Sequence, residues 1–273
     1  MDEKTIKLKE QERKERMVKR KYMGISVLSV LVFFLLWELS TDVLHLLPDY
    51  TMPSPVRVLS SFIKKLYTKA PDGDILLVHI LTSLRVSLSG FLLGSLTGIP
   101  IGILMAWYPR FENFFRPLFD MIRPIPTVAW IPIMILWFGI GLGAKAAVIF
   151  VSAFIPCVVN SFAGIKQTSQ VHLWVAQTFG ASRREMLFRI AIPTALPSIF
   201  TGLRLSLGSS WMALVAAEML ASNKGLGYMI YTGRSLGRAD LIIVGMMTIG
   251  AIGAFFSFIL GSFERKIVKG VSR

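Results

Sequence analysis

Two arginines, Arg85 and Arg204, and one glutamate, Glu218, fall within or at the edge of long apolar runs, and through them this sequence could act on a polar solute. An arginine at the centre of a bilayer costs about 2.5 to 3.5 kcal/mol on insertion scales, so such a residue needs a polar surrounding. Two readings of the pair are open. Arg204, together with Arg85, lines a pathway that attracts an anion; or Arg204 forms a structural ion pair with Glu218 while Arg85 reaches to the outer interface. Ser209 and Ser210, next to Trp211, either line a translocation cavity or bond helix backbone. Glu218 lies near Asn223, Lys224, Gly225 and Gly227 at the end of an apolar run, where it either faces the pathway or is solvated.

Other chemistries find no residues. His45, His79 and His172 stand apart, without a second histidine or an acidic neighbour at ligand spacing, so no metal site is expected. Cys157 is the one cysteine, inside an apolar run, which excludes an intramolecular disulfide and reads as packing. Glu112, Asp120 and Glu218 occupy separate segments, and no nucleophile, base and orienting acid can be assembled. There is no G-x-x-x-x-G-K-[ST] phosphate loop anywhere in the chain.

The elements that must position these residues are membrane spans. Of 273 residues, 53% are hydrophobic and 17% charged, with mean hydropathy +0.61, against about 25% charged for soluble domains. The formal net charge of +14 would suggest nucleic acid in a soluble protein. Here Lys and Arg gather between apolar blocks, where they orient spans, and no nucleic-acid partner is expected. Apolar blocks run over 24–37, 84–108, 127–140, 144–165, 195–220 and 241–263, close to the roughly 20 residues that one crossing needs. The third is short and follows Pro124 and Pro126. Six crossings put both termini on one side, where the loops carry twenty Lys/Arg against eight on the other, so both termini are expected in the cytoplasm. The basic start has no small-residue cleavage site behind it, so no signal peptide is expected.

Gly90, Gly94, Gly98 and Gly102 stand four residues apart on the second span, a bare ridge for close helix approach. In the loop before it, Val56, Leu59, Phe62, Ile63 and Leu66 recur at helical spacing with Lys64 and Lys65 alongside, which predicts an amphipathic helix on the outer surface. Residues 171–193 carry punctuation for two short helices and a tight turn. Gly180 fits the position after a helix end, Ser182 and Glu185 form a capping box, and Pro193 is expected to end the second helix. A helical hairpin with three arginines and apolar residues suits a partner's groove. Tethered to two spans, it is badly placed to enter DNA.

This stretch resembles the cytoplasmic coupling motif of bacterial ABC importer permeases, E-A-A, three residues, G, nine residues, I-x-L-P. Gly180 takes the glycine position and Ile190, Ala191, Ile192 and Pro193 the end, with Ile in place of Leu. Trp174, Val175 and Ala176 stand at the E-A-A positions, so the leading glutamate is missing. Further likeness to the sulfonate, taurine and nitrate importer permeases runs over about 48–262, in Pro53-Ser54-Pro55, Ser83-Leu84-Arg85-Val86, Pro126-Thr127-Val128-Ala129-Trp130-Ile131-Pro132, Trp137-Phe138-Gly139-Ile140-Gly141, Phe154-Ile155-Pro156, Gly202-Leu203-Arg204, Ala217-Glu218-Met219 and Gly225-Leu226-Gly227.

The resemblance implies an all-α polytopic membrane protein of the type I ABC importer permease class, in a bacterial cell membrane. Its expected partners are a second permease copy, two ATPase subunits that hold ATP and Mg, and an external solute-binding protein. It also implies that Trp174, Val175, Ala176, Gly180, Ala181, Ser182, Glu185, Ile190 and Pro193 couple to the ATPase, and that a small anion such as an aliphatic sulfonate, taurine or nitrate is imported. The chain then divides into a basic cytoplasmic segment 1–23, a first span 24–41, and an external loop with an amphipathic helix, 42–83. A five-helix core, 84–263, follows with its coupling loop 166–194, and then a cytoplasmic tail, 264–273. The rival classes are an ion-coupled secondary carrier, which needs no ATPase, and a lipid-modifying membrane enzyme, which needs a carboxylate or histidine cluster.

Overall fold

The computed structural model describes residues 3–46, 48 and 50–271; of the expected terminal segments, Met1, Asp2, Ser272 and Arg273 lie outside the described residues. All regular structure among the described residues is helical. Helix α1 (Glu3–Glu38) ends in a π turn (Leu39–Val43) and is followed by α2 (Pro55–Tyr67), α3 (Leu76–Trp107) and α4 (Pro109–Ile122). A 3-10 turn (Thr127–Trp130) leads into α5 (Ile131–Phe138), then come α6 (Leu142–Lys166), α7 (Gln170–Thr178) and α8 (Arg183–Met186). A second π turn (Leu187–Ala191), α9 (Ile192–Ala221), α10 (Leu226–Ser235) and α11 (Ala239–Val271) complete the chain.

The glycine ridge sets the core. A Cβ on Gly90 would meet Ile149 Cβ at 2.6 Å, one on Gly94 would meet Ala153 Cβ at 2.7 Å, and one on Gly102 would meet Val158 O at 2.5 Å. Bare backbone at these positions lets α3 lie against α6 closer than any side chain allows. The partners advance together, Gly90 with Ile149, Gly94 with Ala153, Gly98 with Cys157 and Gly102 with Ser161, so the two helices are parallel. Helix α9 runs antiparallel to α6, with Gly164 against Ala195 and Ser198 and Gly202 against Pro156 and Asn160. Helix α11 runs antiparallel to α9, as the Trp211 Nε1 bond to Ile249 O (3.0 Å) and the Arg204–Glu264 contact require.

Two parallel consecutive spans need a crossing between them. Among the described residues five helices are long and apolar enough to cross a membrane. The third expected span is instead a bent pair, 109–122 and 127–138, with an 89° break. Pro124 and Pro126, each unable to donate a backbone hydrogen bond, make that break. Because α3 and α6 are parallel, the pair must carry the chain from one end of the bundle to the other. The second span also starts earlier than the apolar run from Leu84: α3 begins at Leu76, and its first turns carry His79, Thr82 and Ser83.

Pro193 does not end a helix. Helix α8, the π turn and α9 form one continuous rod, Arg183–Ala221. In the π turn the Ile192 N–H bonds back to Leu187 O, five residues away. That shift just ahead of Pro193 absorbs the donor which proline lacks, so the rod bends its bonding pattern rather than stopping.

Candidate functional site: the Gly180 turn and the opposite polar cluster

The turn expected to couple is built by local rules. Gly180 has φ +81°, the left-handed conformation that terminates α7. Its N–H bonds to Gln177 O and the next N–H, of Ala181, to Ala176 O, both at 3.0 Å, the paired closure of a Schellman motif. Two residues on, Ser182 Oγ accepts from Glu185 N–H at 3.2 Å and Glu185 Oε2 accepts from Ser182 N–H at 2.9 Å. One helix is closed and the next opened within four residues, which fixes the angle between α7 and the long rod.

The turn is tied to the bundle while its apolar side chains stay outside. Arg183 Nη2 donates to Trp107 O at 3.1 Å and its guanidinium lies 5.5 Å from the Tyr108 ring centre. Beside it, Lys166 Nζ reaches Glu112 Oε2 at 2.8 Å, joining the ends of α6 and α4. Trp174 is 64% exposed, Phe179 87% and Phe188 66%. Aromatic groups left in the open on a polar loop suit contact with another protein or with a membrane surface. Val175 is exposed as well, whereas Ala176, Ala181, Ile190 and Pro193 are half-buried and brace the turn.

At the opposite end lies a polar cluster that sequence reasoning missed. Glu218, read from sequence as a pathway or solvated residue, is fully buried. It accepts from Ser83 Oγ at 2.9 Å and from Gly227 N–H at 2.9 Å. Ser83 Oγ also accepts from Leu226 N–H at 2.9 Å, and His79 Nδ1 accepts from Gly225 N–H at 3.0 Å. The first three amides around the start of α10 are thus all taken by side chains of α3 and α9. Gly225 has φ +118°, and a Cβ there would stand 2.3 Å from Glu218 Oε1, so only glycine fits. Behind His79, its Nε2 lies 3.2 Å from Asp72 Oδ2, and Asp72 bonds the buried Lys65 ammonium of α2. Lys65 Nζ also donates to Asp74 O at 2.6 Å. Burial opposes the charged form of Asp72, but the adjoining His79 and Lys65 outweigh it and hold the carboxyl below its ordinary value. One sequence signal pointed here: 79, 83, 87, 90 and 94 continue the glycine ridge of α3 at helical spacing.

The residues proposed for a pathway separate. Arg204 pairs with Glu264 of α11, not with Glu218, and its side chain remains 52% exposed. Arg85 is exposed, with no hydrogen-bond or ion-pair partner among the described residues. Ser209 Oγ donates to Ser152 O at 3.0 Å, a bond between α9 and α6, and Ser210 is fully buried. The two serines therefore sit in helix contacts. On α9, Thr201, Arg204, Leu205, Gly208 and Met212 form one exposed stripe along the rod.

Comparison with known proteins agrees with this architecture. Residues 98–273 match the family model for the binding-protein-dependent transport system inner membrane component. The taurine transport system permease protein TauC of Escherichia coli is 34% identical, over 90% of this chain and 88% of its own. The formylaminopyrimidine transport permease protein ThiX of Halalkalibacterium halodurans is 31% identical, over 77% and 82%. The bicarbonate transport system permease protein CmpB of Synechocystis is 30% identical, over 89% and 88%. An inward-facing structure of the MetNI methionine ABC transporter shares the fold, with TM-score 0.60 at 18% identity, over 72% of this chain and 96% of that one. A family match across most of the spans, on a helical bundle of this shape, makes the chain a multi-pass membrane protein that belongs to the inner membrane components of binding-protein-dependent transport systems, the permease subunits of ABC importers.

Proposed function

We propose that two copies of this chain form the translocation pathway of an ATP-driven importer for a small anion, with two ATPase subunits docked at the coupling turn. The observation that carries it is the turn itself: a rigid hairpin, closed by Gly180 and reopened by Ser182, that holds Trp174, Phe179 and Phe188 outside the bundle. ATP and Mg belong to the ATPase subunits, and both termini of this chain lie on their side, in the cytoplasm. Nucleotide-driven closure of the ATPases pushes on the hairpin, and the continuous rod 183–221 delivers the push to the pathway.

The relatives' names cover taurine, formylaminopyrimidine and bicarbonate, so the choice of an anion, such as a sulfonate, rests on this chain. Support comes from Arg204, which brings a guanidinium, paired with Glu264, to the exposed stripe of α9 within an apolar span. In this reading the stripe faces its counterpart across a two-fold axis and the solute passes between them.

Purification from native membranes in mild detergent, followed by mass spectrometry, tests the reading. The chain should carry an ATPase with a phosphate-binding loop, and Gly180→Glu should lose that subunit while the permease stays folded in the membrane. A purified chain without any ATPase, still active in proton- or sodium-driven uptake, would make it an ion-coupled carrier.

A further inference from the structure

Helix α4 carries its charges on one side. Glu112, Arg116, Asp120 and Arg123 recur at three- and four-residue spacing, and Phe114, Leu118 and Met121 make an exposed apolar stripe opposite them. Arg116 Nη1 lies 3.0 Å from Glu112 Oε1 and its Nε 3.6 Å from Asp120 Oδ2, while Lys166 Nζ reaches Glu112 Oε2 at 2.8 Å. Arg123 has no hydrogen-bond or ion-pair partner among the described residues. Three cations, Arg116, Arg123 and Lys166, thus stand against two carboxylates, and the positive charge left over sits on Arg123.

The charged side looks away from lipid. Glu112 meets Lys166 at the end of α6, and further in Phe119 meets Phe154 with ring centres 6.5 Å apart, so α4 lies antiparallel to α6 along its apolar run. A guanidinium there needs a polar surrounding. The stripe of Phe114, Leu118 and Met121 suits acyl chains, which turns the charged side over α6. There a pocket of about 150 Å³ is lined by Arg116, Asp120 and Arg123 together with Met105, Val158 and Phe162. Val158 and Phe162 stand eight and four residues before Lys166, roughly 12 and 6 Å inside the end of α6.

The pocket opens toward α9. Val159 and Ala163 also line it, and at this spacing they share one side of α6 with Pro156 and Asn160. Those two receive Gly202 of α9, two residues before Arg204. The charged side of α4 and the exposed stripe of α9 therefore flank the same open side of α6.

We propose that this pocket is an anion station of the translocation pathway, where Arg123, with Arg116 beside it, takes the charged group of the solute and Met105, Val158 and Phe162 take a short alkyl part. It rests on the reading of the chain as an importer permease, and it narrows the solute to an organic anion with a short apolar tail. A bare inorganic anion leaves the apolar wall uncovered.

The test reads charge selectivity in the pocket, on the whole permease–ATPase complex in nanodiscs. Cys157→Ser removes the one native thiol, and Ala163→Cys puts a new one in the pocket wall. The probes are sulfonatoethyl methanethiosulfonate, an anion, and its trimethylammonium counterpart, a cation, each rate taken relative to that with a free thiol. The anionic reagent should be favoured by about tenfold, and millimolar propanesulfonate should slow it where equimolar nitrate does not. Arg123→Gln should erase the preference and Arg123→Lys keep it. A preference that survives Arg123→Gln, or protection by nitrate equal to that by propanesulfonate, would overturn the assignment. Reaction with neutral N-ethylmaleimide alone would overturn it in favour of a lipid-filled crevice. Either failure in a complex that retains its ATPase leaves the importer reading standing, whereas a wild-type chain that holds no ATPase strikes the importer reading itself.

Discussion

Ser83 and Glu218, 135 residues apart in sequence, share a buried hydrogen bond of 2.9 Å that joins the start of α3 to the end of α9. Glu218 also caps the first turn of α10 through Gly227 N–H. Removing the carboxylate strands both donors, and each buried unsatisfied group costs about 1 to 3 kcal/mol. Glu218→Ala should lower the melting temperature in detergent by several degrees. Glu218→Gln keeps an acceptor for both donors and should lie closer to wild type; equal loss in the two variants would show that the hydrogen bonds are not what holds α10.

Gly94 meets Ala153 across the centre of the ridge, where an added Cβ would stand 2.7 Å from both Ala153 Cβ and Phe150 O. Gly94→Leu should part α3 from α6, at a cost of about 1 to 3 kcal/mol or more for overpacking. The expected readout is aggregation on size-exclusion chromatography. Gly24→Leu, where nothing lies within 4 Å, should be silent.

Arg204 stands on the exposed stripe of α9 with Glu264 as its counter-ion. Arg204→Ala should slow the maximal uptake of a sulfonate by about tenfold, equivalent to about 1.4 kcal/mol on the limiting step, and Arg204→Lys should recover part of it. Arg85→Ala should leave the rate near wild type. Equal, unimpaired uptake in all three would remove Arg204 from the pathway.

Asp72 gives a pH window. Its carboxyl is held below its ordinary value of 3.8 in the folded protein, so the stabilisation it supplies is fully present above that value. As pH falls below it and through the lowered folded value, the proton goes on and the stabilisation is lost. Hydrogen exchange in the 68–75 loop should stay flat from pH 8 to about 5, after correction for intrinsic rates, and rise below about pH 4. Asp72→Asn should be loose at all pH values. An acid response in Asp72→Asn equal to that of wild type would assign the transition to another group.

What could be read from the sequence was local. Gly180, Ser182 and Glu185 specify their turn within six residues, and the four-residue spacing of glycines announces a helix contact without naming its partner. Pairings over long separations left no such trace. His79 looked isolated because Asp72 reaches it across a loop and Gly225 comes from 146 residues away. Hydropathy also trimmed the start of α3, since the polar residues of its first turns interrupt the apolar run, although His79 and Ser83 are buried against the start of α10. Pro193 misled for a different reason: proline stops a helix only where the preceding turn keeps its regular bonding, and here a π turn precedes it.

The ridge of α3 and its partners on α6 repeat every four residues, like the teeth of two racks lying side by side. A slip of one residue would drive the bare backbone of α3 onto full side chains of α6, and the next matching register lies four residues on, about 6 Å along the axis. The meshed pair cannot creep, so it travels as one solid piece, and a stroke delivered at Gly180 and carried along the rod 183–221 would have to be taken up where the teeth are missing, at the break before α5.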